Sequence, residues 1–170
     1  MAALTEQVES IAASLRAVYE SGRTKPLEWR REQLNGIDRM LVEQEQLFAT
    51  ALASDLGKSA IESYTTEIGF VRNEIKYALS NLAKWTKPER VPLPMNQRPG
   101  RAEIIREPLG SVLVIAPWNY PLQLLLAPMV AAIAAGNVVL GKPSELAPHT
   151  AAALAKVLGD YVDDGVQVIV

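Results

Sequence analysis

The sequence predicts an α/β chain in which N-terminal helices lead into the first part of a parallel, doubly wound sheet. Three observations carry that prediction. Apolar residues recur at helical spacing as far as Trp85. Beyond Gly110 strand-like and helix-like segments alternate, which is the pattern of βαβ units. The stretch from Gly110 to Gly141 is 32 residues without a charge, as expected where strands are covered on both faces.

The helices come first. Val8, Ile11, Leu15 and Val18 fall on one face of an opening helix, and Gly22 breaks it. Pro26 suits the first turn of the next helix, because its missing N–H has no intrahelical partner there anyway. Leu27, Leu34, Ile37, Leu41, Phe48 and Leu52 form one long second stripe ending near Gly57. A third helix is expected from about Ser59 to Trp85, with Tyr64, Ile68, Val71, Ile75, Leu79, Leu82 and Trp85 in its stripe. Glu67, Arg72, Glu74 and Lys76 lie between these and are expected mostly on the solvent side. Such helices are packing elements, and no site is expected on them.

At Lys87 the character changes. Four prolines fall within the thirteen residues from Lys87 to Pro99, so the segment reads as an extended arm. Ala102 to Arg106 is a short strand candidate within it, ending before Pro108. From Gly110 the order is strand, helix, strand, helix, strand. Ser111 to Ala116 is a β-branched apolar run of buried-strand length, and Pro121 opens a helix to about Ala135 in which Pro128 should introduce a kink. Gly136-Asn137 stops that helix, Val138 to Gly141 is the second strand, and a helix from near Pro148 carries Leu154, Val157, Leu158 and Tyr161 on one side. Residues 166 to 170 form a third strand. A buried parallel strand there would leave one side unpaired, so we expect this chain to be the N-terminal part of a longer protein.

Composition removes several functions. With 49% apolar and 21% charged residues the chain is globular in type, and its net charge of −2 with no basic cluster gives no footprint for nucleic acid. There is no cysteine and one histidine, His149, so thiolate chemistry and multi-histidine zinc sites are excluded and no metal site is expected. His149, at a helix start, reads as a surface residue. The N-terminus lacks the basic start and apolar core of a signal peptide, which makes the cytoplasm the default location. The uncharged stretch is interrupted by Pro117, Asn119, Pro121, Gln123, Pro128 and Asn137, so it does not read as the roughly 20 continuous apolar residues of a membrane span.

Two turns could carry chemistry. In a doubly wound sheet ligands sit at the carboxyl ends of the strands. Asn119 lies just beyond the first strand, between Pro117 and Pro121, where a stiff backbone would preorganise its amide as a donor. The same residue could equally satisfy backbone groups at a helix start. Trp118 beside it is either a pocket wall or a core anchor. After the second strand, Lys142, Ser144 and Glu145 present a cation, a hydroxyl and a carboxylate, where such sheets often hold ribose hydroxyls. The plain alternative is a solvated polar turn. The glycine-rich turn that usually follows the first strand of a dinucleotide-binding sheet is absent; "APWNYPLQ" has no glycine.

These blocks together resemble one family. Glu107 to Pro148, with "PWNYP", "AAIAAGN" and "KPSE" in this order and spacing, looks like the start of the cofactor-binding domain of aldehyde dehydrogenases. "SGRTKPLEWRREQL" and the helices up to Trp85 are similar to the compact, class-3-like branch, and the resemblance covers essentially the whole chain. It implies a Rossmann-like sheet, present here only in part, and oxidation of an aldehyde to a carboxylic acid with NAD or NADP as hydride acceptor. It implies a thiohemiacetal on a cysteine located beyond residue 170, so this chain alone should be inactive. Asn119 would donate to the developing oxyanion, and Lys142 and Glu145 would hold the adenosine ribose. Pro117, Trp118 and Ser144 belong to the same cofactor-binding edge. The family places its glycine motif later in the sheet, which accounts for the missing one.

The expected organisation is a helical segment over 1–86, an oligomerisation-type arm over 87–109 and the first part of the dinucleotide-binding domain over 110–170. The expected partners are a small-molecule aldehyde and, for the full-length protein, a second copy in a homodimer; neither nucleic acid nor membrane is expected within this chain. The alternative is a non-catalytic truncated remnant or interaction fragment of such an enzyme.

Overall fold

The computed structural model describes residues 2–170, with side chains from Thr5 onward. Four helical stretches open it. α1 (Ala2–Glu20) buries Leu15 and Val18, whereas Val8 is 40% exposed near its start. The second stripe is divided between two helices, α2 (Leu27–Glu43) and α3 (Glu45–Leu56). Gln44 leaves helical geometry between them, at φ −107° and ψ 18°. Leu34, Ile37, Leu41, Phe48 and Leu52 are all fully buried nonetheless. Gly57 ends α3 in the left-handed conformation, φ 68°, that a side chain would disfavour.

Ser59 caps the next helix, its Oγ accepting from the Glu62 amide at 3.2 Å. Helical geometry then runs to Trp85 but is not uniform: α4 (Ala60–Ser63) passes through a π-turn over Tyr64–Ile68 into α5 (Gly69–Trp85). Val71, Ile75 and Leu82 are buried as the spacing predicts, while Tyr64 and Trp85 stand 41% and 40% exposed. Glu67 departs furthest from expectation. It is completely buried rather than solvent-facing.

After α5 a small antiparallel ribbon pairs β1 (Glu89–Val91) with β2 (Ala102–Ile104). The parallel sheet follows, built from β3 (Ser111–Ile115), β4 (Val138–Lys142) and β5 (Val166–Val168) in the order β3-β4-β5. α6 (Gln123–Ala134) and α7 (Pro148–Val157) make the crossovers, so the β-α-β-α-β order is present as expected.

The sheet separates two cores. On one face Val139 and Val166 join Leu125, Met129, Ile133 and Leu154 of the crossover helices, and these continue into α2, α3 and α5. On the other face α1 lays Leu15 and Val18 on Val138 and Leu140. Each buried Leu, Ile or Phe contributes roughly 1.5–3 kcal/mol relative to exposure. β4 is central and buried along its length until Lys142, which is half-buried. β3 differs from the buried strand expected: it alternates, with Leu113 and Ile115 at 58% and 68% exposure. It lies at the edge of the three strands, and α1, which packs against both β3 and β4, leaves Leu113 and Ile115 uncovered.

The joint between α6 and β4 explains "AAGN". Gly136 takes φ +93°, and the Asn137 amide donates to the Ala132 carbonyl at 3.0 Å while its oxygen accepts from the Gly110 amide at 2.9 Å. That one buried side chain ties the end of α6 to the start of β3. Arg30, buried in α2, donates to the carbonyls of Ala134 (3.1 Å), Lys25 (2.9 Å) and Thr24 (3.3 Å). Its cation therefore sits at the negative end of α6, and burial lowers its pKa from the ordinary arginine value.

Candidate active site at the strand ends

The register of β3 on β4 pairs Ile115 with Lys142, so both strands finish at the same edge of the sheet. The Ala116 amide donates to the Lys142 carbonyl at 3.0 Å and extends the ladder by one rung. The chain then leaves the sheet. Pro117, Trp118, Asn119 and Tyr120 are all exposed, and Pro121 and Leu122 return to the interior to start α6. Trp118, 50% exposed, is not a core anchor in this chain.

Asn119 stands on that exposed turn, and its side-chain amide forms no hydrogen bond among the described residues. It is not occupied in capping α6. That position belongs to another side chain: Oε2 of Glu67 accepts from the amides of Leu122 (3.0 Å) and Gln123 (2.8 Å), a favourable place for a carboxylate at the positive end of a helix. Glu67 is paired in turn through Oε1 with the ammonium of Lys58, at 2.5 Å, and both side chains are buried. The same ammonium donates to the Asn119 carbonyl at 3.4 Å and lies 4.1 Å from the centroid of the Tyr120 ring.

The second turn begins at Lys142. Its ammonium is ion-paired with the carboxylate of Glu145. That hydrogen bond, with a further one from backbone and the charge of Lys142, holds the Glu145 carboxyl below the ordinary glutamate range. Ser144 is buried, and its Oγ accepts from the Leu146 amide at 3.2 Å, so its hydroxyl shapes the turn. α7 then starts on a borrowed cap: Asp55, from the end of α3, accepts from the amides of His149 (3.0 Å) and Thr150 (2.7 Å) and from the Thr150 hydroxyl (2.8 Å). His149 is exposed.

The residues predicted from strand ends thus share one edge, although no hydrogen bond or ion pair among the described residues joins Asn119 to Lys142 or Glu145. A cation and a carboxylate side by side form a donor and acceptor set suited to a vicinal diol such as a ribose. Lys58 and Glu67 were missed. The available signal was the row Glu67, Val71, Ile75, Ala78, Leu82, which puts the carboxylate at the head of an apolar stripe. No group of acidic and histidine side chains able to hold a metal ion occurs among the described residues, and no helix there is long and apolar enough to cross a membrane.

Known proteins resemble this chain in sequence and in fold. The profile of the Aldehyde dehydrogenase family matches residues 1–170. The human protein "Aldehyde dehydrogenase family 3 member B1" is 50% identical over 149 residues, covering 88% of this chain and 32% of the human one. Staphylococcus aureus AldH, solved in a substrate-bound state, superposes with a TM-score of 0.93 at 38% identity, over 95% of this chain and 36% of the other. The glyceraldehyde-3-phosphate dehydrogenase GapN of Methanocaldococcus jannaschii, solved with NADP, gives a TM-score of 0.79 at 26% identity over 96% of this chain and 36% of that one. The chain spans about a third of the length of the curated relatives it matches. With the family profile matched over residues 1–170 and a human family member 50% identical over 149 of them, this chain belongs to the aldehyde dehydrogenase family.

Proposed function

We propose that the whole protein oxidises an aldehyde to a carboxylic acid with NAD or NADP as hydride acceptor. In this reading the present chain supplies one donor of the oxyanion site and the ribose-binding edge. The observation that carries the reading is the register of β3 on β4, which ends both turns at one sheet edge. Asn119 would direct its amide N–H at the oxygen of the reacting carbonyl, where negative charge develops. The fixed turn means that little reorganisation is needed as that charge grows. Lys142 and Glu145 would donate to and accept from the two ribose hydroxyls, with Pro117 and Trp118 lining the approach and Ser144 holding the turn. When bound, the nicotinamide cofactor supplies the hydride acceptor.

The chain contains no cysteine, so the thiolate that attacks the aldehyde is assigned to sequence beyond residue 170, and this chain alone to an inactive state. We assign homodimer formation to the arm over 87–109, where Met95, Ile104 and Ile105 are exposed apolar residues. We assign the protein to the cytoplasm.

Asn119→Ala in the full-length protein tests the reading. Loss of one oxyanion donor should lower kcat by about 10²–10³-fold, with circular dichroism and thermal midpoint unchanged. Unchanged turnover in a folded variant refutes it.

A further inference from the structure

The buried pair Lys58–Glu67 has no part in the function proposed so far. Its position is unusual in three respects. Lys58 and Glu67 expose 7% and 0% of their side chains, and an isolated buried pair of this kind is at best a weak source of stability. Capping α6 does not need a charge, since a neutral Ser or Asn serves well at helix starts. Finally, Glu67 is delivered by a π-turn, an irregularity that is rare and concentrated at functional sites.

What the pair does geometrically is hold the Asn119 turn from both ends. Glu67 grips the amides of Leu122 and Gln123 on the helix side. Lys58 grips the Asn119 carbonyl and sits on the face of Tyr120 on the strand side. Only Tyr120 and Pro121 lie between the two grips, and Pro121 has a fixed φ. These contacts hold the Asn119–Tyr120 peptide, and through it the Cα from which the exposed side chain leaves the backbone. We propose that Lys58 and Glu67 are positioning residues that aim the Asn119 amide at the oxyanion. This rests on the reading of Asn119 as oxyanion donor. A small loss of aim is costly, because a displacement near 1 Å can lower a rate by about a hundredfold.

The test uses the full-length enzyme and two backgrounds. Lys58→Met with Glu67→Gln removes both charges together, and the new amide oxygen still accepts from the start of α6. In the Asn119 background we expect kcat to fall by about tenfold or more, with the KM for cofactor and the thermal midpoint unchanged. In an Asn119→Ala background the same double substitution should change kcat by less than about twofold, since residues acting through one group are not additive. A folded double variant with normal kcat overturns the proposal, and so does an equal loss in both backgrounds. If the double variant does not fold, Tyr120→Leu decides the matter, being a half-exposed side chain whose ring the ammonium contacts. A fall in kcat confined to the Asn119 background supports the proposal; no fall, or the same fall in both, overturns it. Failure of the oxyanion reading is seen separately, as normal turnover of Asn119→Ala alone, and the positioning role falls with it.

Discussion

Replacing Gly136 by alanine should be among the most damaging single-methyl changes available in this chain. Gly136 adopts φ +93°, where an L side chain is strained by roughly 1–2 kcal/mol. A Cβ there would also meet the Arg30 guanidinium, with Nη2, Cζ and Nε at 2.5, 2.6 and 2.9 Å. That group cannot simply move aside, because it serves three backbone carbonyls. Losing one hydrogen bond to a buried charged group costs about 1.5–3 kcal/mol. Together these give a loss of about 2.5–5 kcal/mol, a large share of the roughly 5–15 kcal/mol that holds a typical domain. Urea unfolding followed by circular dichroism measures it. The cause is separable: in an Arg30→Ala background, which removes every contacting atom, only backbone strain remains, so the cost of Gly136→Ala should shrink to roughly 1–2 kcal/mol. A loss under about 1 kcal/mol, or the same loss in both backgrounds, would refute the account.

Asp55→Ala should destabilise by about 1–2 kcal/mol, read from the same unfolding curves, since it strips the N-terminal cap from α7. In the full-length protein, Glu145→Gln should weaken cofactor binding by about tenfold, as a charged acceptor gives way to a neutral one. That would be seen in a fluorescence titration, with the KM for aldehyde little changed. The pKa of Glu145 is lowered, so its carboxylate stays ionised as pH falls through the ordinary glutamate range. Its contribution to cofactor affinity should therefore be flat from neutral to mildly acid pH and be lost only below that range. A loss already complete near pH 6 (about two units above an ordinary glutamate) would exclude Glu145 as the group responsible.

Most of the fold was legible because period and strand-end position are local properties. Leu34 to Leu52 and Val71 to Leu82 declare their buried faces by spacing, and Asn119, Lys142 and Glu145 follow from where strands end. The break at Gln44 was not legible, because Leu41 and Phe48 are seven residues apart and keep their phase across it. β3 read as fully buried because composition reports an apolar strand but not its place at a sheet edge. β1 carries two charges in three residues and gives no strand signal of its own. Lys58 and Glu67 were hidden for a further reason: a charge is read as solvated until its partners are known. Those partners are 9, 55, 56 and 61 residues away.

Those separations also bear on the order in which the chain is made. Lys58 and Glu67 are nine residues apart, on the link before the Ser59 cap and in the helical stretch after it, so they can meet as soon as that stretch forms. The amides that Glu67 will receive are synthesised 55 residues later. A ribosome therefore releases the carboxylate and its counterion well before the turn they grip. Domains form from the N-terminal side during synthesis at about 5–20 residues per second, which gives the receiving surface a lead of several seconds. The Asn119 turn thus emerges after the two side chains that hold it, and its backbone meets a carboxylate and an ammonium already made.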